Sequence, residues 1–245
     1  MMKKKVNKSS VSHVLPLART SVTTLLIIIS MMPCIAQQAD TIRHEVLLET
    51  TKGNIRIALY NETPQHRDNF LKLVRQGFYD GLLFHRVIYN FMIQTGDSAS
   101  RNASPGQLLG DSPEGYKIPA EIKYPALFHK RGAVAAAREN DENNPAFASS
   151  ASQFYIVYGR RFNDAMLDEQ QQKLDKQTNG KIKLTPEVRE TYKAIGGAPH
   201  LDGQYTVFGE VTEGLNVVKD IDWADTDDNA RPKEDIRITK ATVVR

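Results

Sequence analysis

Arg86 and Gln94 stand out in the stretch FHRVIYNFMIQTGD, residues 84–97, because they sit among Phe84, Val87, Ile88, Phe91, Met92 and Ile93. A core strand normally sends arginine out to solvent. A sheet face that presents Arg86, Phe91, Met92 and Gln94 together is instead a binding surface, with hydrogen-bonding groups beside apolar area. Other chemistries lack a basis. The six histidines form no HxH or HExxH pair, so no metal site is expected. The only cysteine is Cys34. His85 reads as a hydrogen-bonded residue of the core or just behind the site, and Asp97 and Glu121 read as structural acids.

These residues need strands to hold them. HEVLLETT (44–51) and NIRIALY (54–60) alternate as half-buried strands and are joined by a hairpin turn at Lys52-Gly53. Thr63-Pro64 opens a helix, with Thr63 as N-cap and Pro64 at the first helical position; Phe70, Leu71 and Val74 form its apolar face, and Gly77 ends it. Further strands are expected at 81–88, 91–96, 117–122, 132–138, 153–158, 205–211 and 235–244, with a short helix near 215–221. Many short strands, few helices and no βαβ rhythm indicate a closed antiparallel barrel.

Residues 162–197 break that rhythm. They read as two helices with a turn at Asn179-Gly180, an (i, i+4) pair between Glu169 and Lys173, and a second Thr-Pro start at Thr185-Pro186. Phe162, Met166, Val188, Tyr192 and Ile195 need a partner surface, be it each other, the barrel or another protein. The segment is a helical insertion in a β domain.

The N-terminus has the order of a signal peptide: a basic start, an apolar run, a small residue at Ala36, then the polar QQAD. A retained membrane anchor is the alternative. Setting aside residues 1–36 removes Lys3, Lys4, Lys5, Lys8 and Arg19 and no acid, which takes the formal charge from +3 to −2. The mature chain, residues 37–245, then has no cysteine, no stable membrane span and no basic patch for nucleic acid. It is expected in the periplasm or secreted, as a single domain.

FHRVIYNFMIQTGD closely resembles the core signature of the cyclophilin-type peptidyl-prolyl isomerases. IPAEI with HKRGAVAAAR, then SSASQFYIVYG, then HLDGQYTVFGEV follow in the family's order. The resemblance covers about residues 44–161 and 198–245, and leaves out the signal peptide and the insertion. It implies a mainly β fold, a closed eight-stranded antiparallel barrel capped by two helices, here with the helical insertion added.

The resemblance also implies roles. Arg86 matches the catalytic arginine and Gln94 the glutamine that hydrogen-bonds the substrate backbone. Phe91, Met92, Tyr155 and Leu201 match the apolar wall around the substrate proline, while Ala137 and Gln153 match the groove for the preceding peptide. Tyr205 stands where some members have histidine, Arg138 where asparagine is frequent, and His200 where many carry tryptophan; the last puts tight cyclosporin binding in doubt. Strict alternation would put Phe91 and Met92 on opposite faces. Either the strand start bends, or Phe91 reaches the pocket from a turn.

Such an enzyme needs no cofactor. The partners implied are proline-containing peptides and unfolded exported proteins, handled by a monomer. Two other readings stay open. The same groove could hold Pro-containing segments without turning them over, or the chain could be a subunit of an envelope complex. The intact set Arg86, Phe91, Met92 and Gln94 favours the enzyme.

Overall fold

The computed structural model describes residues 43–111 and 115–245. Every described residue belongs to one compact unit, residues 40–245. The signal peptide assigned to residues 1–36 lies outside the described residues.

Strands β1 (Glu45–Thr50) and β2 (Gly53–Leu59) form the expected hairpin, closed by Thr50 opposite Gly53. Their alternation buries Val46, Leu48, Ile55 and Ile57 completely. Helix α1 (Pro64–Arg75) follows and buries Phe70, Leu71 and Val74. The Thr63 side chain does not cap it. Glu121 does so from across the fold, accepting from the backbone N–H groups of Gln65 at 3.1 Å and His66 at 3.0 Å. A carboxylate is the stronger acceptor for the positive end of a helix, and Glu121 is structural in this sense.

The remaining strands are β3 (Arg86–Ile88), β4 (Met92–Thr95), β5 (Lys117–Ile118), β6 (Ala133–Ala136), β7 (Ser149–Ser150), β8 (Phe154–Val157), β9 (Val207–Glu213) and β10 (Ile238–Val243). Eight of them form one antiparallel sheet in the order β10-β1-β2-β9-β6-β8-β4-β3, and β5 pairs with β7. The sheet curls into an open half-barrel, which corrects the expected closed barrel. Its edges β3 and β10 share no ladder, because β3 begins only at Arg86, past the backbone that faces β10. The chain just before β3 meets the start of β10 at a single bridge, Leu83 to Arg237. The expected strand at 81–88 is thus mostly irregular backbone, and β7 was not anticipated.

The curled sheet has two apolar faces. One packs Val134, Phe154 and Ile156 with α1 and with Val218 and Ile221 of α4 (Leu215–Asp222). The opposite face carries Met92, Ala133, Ala135, Tyr155 and Val157.

The insertion holds α2 (Asp164–Thr178) and α3 (Pro186–Ala194), with Asn179 left-handed at the turn (φ 51°). Phe162, Leu167, Leu174, Leu184, Val188 and Tyr192 form its own core, against which Phe128 and Met166 pack. The partner surface is therefore the helices themselves plus Phe128, while Ile195 stays 39% exposed. The expected Glu169–Lys173 pair is not among the ion pairs of the described residues, because Lys173 turns to a cavity described below.

Candidate active site

Cross-strand register, rather than sequence proximity, assembles the site. Arg86 stands opposite Gln94, Gln94 opposite Tyr155, and Tyr155 opposite Ala135, so one row of side chains crosses β3, β4, β8 and β6. Residues paired in this way share a face of the sheet. Met92 is two residues before Gln94 and joins them. Phe91 precedes β4 in the turn that contains Asn90 (φ 55°), and its N–H donates to the Ile88 carbonyl at 3.0 Å. It reaches the pocket from that turn, the second of the two expected routes.

Polar groups along the row are chained. Arg86 Nη1 donates to Gln94 Oε1 at 3.1 Å, Gln94 Nε2 to Gln153 Oε1 at 3.1 Å, and Gln153 Nε2 to the Gly110 carbonyl at 2.8 Å. Gly96, at φ 98°, lets the Ser152–Gln153 backbone approach, since a side chain there would overlap the Ser152 carbonyl. Arg86 is exposed, yet contact with the pocket wall desolvates it enough to lower its pKa, with Tyr205 opposing. It stays a cation at neutral pH.

Phe91, Met92, Tyr155, His200, Leu201 and Tyr205 complete a cavity of about 460 Å³ that also borders Ala137 and Arg138. His200 and Leu201 arrive on a short 3-10 turn, Pro199–Leu201, and the His200 ring lies 5.0 Å from that of Phe91. Arg138 is committed to the wall: its guanidinium packs 4.4 Å over Tyr205 and 4.5 Å over Phe147, and donates to the Gln204 carbonyl at 2.9 Å. Gln153 does not border this cavity and lines the adjoining groove of about 470 Å³ with Ala137 and Arg138.

The pocket floor has support that the sequence reading missed. Tyr155 Oη meets His129 Nε2 at 3.0 Å, and His129 Nδ1 meets Asp202 Oδ1 at 3.0 Å. All three residues are buried. His129 and Asp202 fall inside two of the quoted motifs, so the signal was present without a role attached. His85 is buried as expected, but neither ring nitrogen has a hydrogen-bond partner among the described residues, and burial pushes its pKa down to about 4. Asp97 caps the 3-10 turn Ser98–Asn102 and accepts from the Gly110 N–H, a structural acid.

Comparison with known proteins decides the family. The family model described as cyclophilin type peptidyl-prolyl cis-trans isomerase matches residues 45–243. The chain belongs to the cyclophilin-type peptidyl-prolyl cis-trans isomerases. Among curated cyclophilins, peptidyl-prolyl cis-trans isomerase-like 3 of Gibberella zeae is 33% identical over 202 residues, covering 81% of this chain and 95% of its own length. Peptidyl-prolyl cis-trans isomerase ppi1 of Schizosaccharomyces pombe is 32% identical, covering 81% and 98%. A solved cyclophilin of Cryptosporidium parvum shares the fold with a TM-score of 0.59 at 22% identity, covering 83% of this chain and 99% of its own. The same protein was also solved in the presence of the dipeptide Ala-Pro, with a TM-score of 0.57.

Proposed function

We propose that this isomerase turns Xaa–Pro bonds at the cavity between Arg86 and Leu201, and that its clients are unfolded exported proteins. The observation that carries the site is the row Arg86–Gln94–Tyr155 beside the apolar wall of Phe91, Met92 and Leu201.

The chemistry follows from the amide. Its resonance sets a barrier of about 18–20 kcal/mol, and rotation needs no nucleophile, no metal and no proton taken from carbon. The enzyme must bind the twisted amide better than either planar form. Twisting localises a lone pair on the prolyl nitrogen, and the fixed fork of the Arg86 guanidinium is suited to donate to it. Gln94 orients Arg86 through the 3.1 Å contact to its Oε1 and supplies polar contact to the substrate backbone. The apolar wall holds the ring while the preceding carbonyl swings.

Export is supported by the N-terminal sequence pattern alone. Ala137 and Gln153 line a groove in position to take the peptide before proline.

A protease-coupled assay on a short Ala-Pro peptide tests the site, and the expected result is acceleration of the cis-to-trans step. Tight peptide binding without acceleration would instead make the chain a binding module. N-terminal sequencing of the protein recovered from its natural compartment tests export, with Gln37 as the expected first residue.

A further inference from the structure

The insertion lines a cavity that adjoins the proline pocket. This second cavity, of about 330 Å³, shares Phe91 and His200 with the proline pocket, and helix α2 supplies its wall through Gln170, Lys173 and Gln177. These three residues are spaced three and four apart, so they lie on one helix face. Arg160, just ahead of the insertion, faces the same space.

The charge there is one-sided. Three acids of the insertion are engaged elsewhere, Asp164 and Asp168 with Arg189 and Lys193, and Asp175 with Lys183, and Glu169, which forms no ion pair among the described residues, does not line the cavity. Arg160 and Lys173 have no ion-pair partner among the described residues. Their field reaches the rim of the pocket. Burial and His129 push the His200 pKa down to about 4, Asp202 opposes, and Lys173 and Arg160 add to the downward push. Gln170 is 5% exposed and brings an amide to the same wall.

The other end of the pocket differs. Its groove pairs Lys117 with Glu139 at 2.7 Å and Arg138 with Asp141 at 2.7 Å, so its cations are neutralised. That end carries Ala137 and Gln153, the groove assigned above to the peptide before proline. The α2 cavity shares no lining residue with that groove and meets the pocket at Phe91 and His200, so we assign it to the chain after proline.

We propose that the cavity formed by Arg160, Gln170, Lys173 and Gln177 is a subsite for a carboxylate side chain, Asp or Glu, within the two residues that follow the substrate proline. This inference rests on the isomerase site proposed above. It gives the insertion a specificity role: clients with an acid shortly after proline are favoured, through a long-range attraction that salt weakens.

Exchange NMR on short peptides tests it without a coupling protease. Two peptides carry Glu after Ala-Pro, at the first or second position, and each has a Gln counterpart. A control carries Glu before Ala-Pro. At low ionic strength, wild type should turn over at least one Glu peptide about threefold to tenfold faster in kcat/KM than its Gln counterpart, with no gain for the control. In the Arg160→Gln/Lys173→Gln double variant the ratio should fall toward one while Gln-peptide turnover is kept. A ratio of one for both positions in wild type overturns the subsite, as does a ratio that survives the double substitution. No turnover of any peptide would overturn the parent reading instead.

Discussion

The hydroxyl of Tyr192, on insertion helix α3, donates to Asp202 Oδ2 at 2.7 Å, deep inside the protein. Asp202 directly follows Leu201 of the pocket wall, and its other oxygen accepts from the His129 backbone N–H at 3.0 Å. His129 in turn contacts the Tyr155 hydroxyl. One buried chain therefore runs from the insertion to the floor of the proline pocket. Burial and the nearby Asp202 charge raise the Tyr192 pKa well above its ordinary value, so the phenol keeps its proton and remains a donor.

Tyr192→Phe keeps the ring packing on Phe128 and removes only this donor. A buried bond to a charged group contributes about 1.5–3 kcal/mol, and urea unfolding should show a loss of that order. The effect on kcat/KM should stay below about tenfold, or 1.36 kcal/mol, because His129 still holds Tyr155. An unchanged unfolding midpoint would show that the bond contributes nothing to the fold.

Arg86→Ala should lower kcat/KM on a prolyl peptide by about two orders of magnitude, near 2.7 kcal/mol at 1.36 per decade. The residue is exposed and its loss opens no core cavity, so the thermal midpoint should hardly move. Arg86→Lys keeps the charge without the fork and should recover only part of the activity. Near-wild-type turnover in the alanine variant would sink the assigned role.

Much of this site was legible because its signals are local. The alternation of β1 and β2, the four motifs around Arg86, Gln153 and Leu201, and the Asn179 turn all depend on neighbouring residues. What failed to show depends on distant ones. Glu121 caps α1 from 55 residues away at His66, so Thr63 looked like the cap. Closure of the barrel depended on how far β3 extends toward β10, and the Leu82–Phe84 backbone stops at one bridge. Phe91 and Met92 share the pocket only because a left-handed Asn90 turns the chain between them and Ile88. The tie from Tyr192 to Asp202 crosses the Gly196-Gly197 return, and no periodicity encodes it.

His85 should leave a mark on the pH dependence of stability. Its folded pKa is depressed to about 4, below the unfolded value of about 6.5. Above pH 6.5 both states are neutral and its contribution is constant. As pH falls from 6.5 toward 4, the unfolded state takes up a proton that the folded state refuses, so stability falls. The total is on the order of 3 kcal/mol. Asp222, raised to about 6 by burial, has the opposite slope, with stability lost as pH rises toward 6. The two are separated by measuring wild type against His85→Asn: the gap between them should shift steadily toward the variant between pH 6.5 and 4 and stay level above. Parallel profiles throughout would refute this account of His85.

The family resemblance implies tryptophan at the position of His200 in many members, and the structure leaves space for the larger ring. On one side it meets Phe91, with ring centroids 5.0 Å apart and tilted by 47°; it also borders the α2 cavity of about 330 Å³. An indole there would extend the apolar rim and bring an N–H donor to it. Burying about 50 Å² of additional apolar surface is worth roughly 1.3 kcal/mol, close to tenfold in affinity. Wild type should therefore bind cyclosporin weakly, and His200→Trp should tighten binding by about that factor in a calorimetric titration. Arg86 lies on β3 rather than on the Pro199–Leu201 turn, so the same variant should keep its turnover of an Ala-Pro peptide within a fewfold of wild type. Equal drug affinity in the two forms would show that the rim residue does not govern this contact.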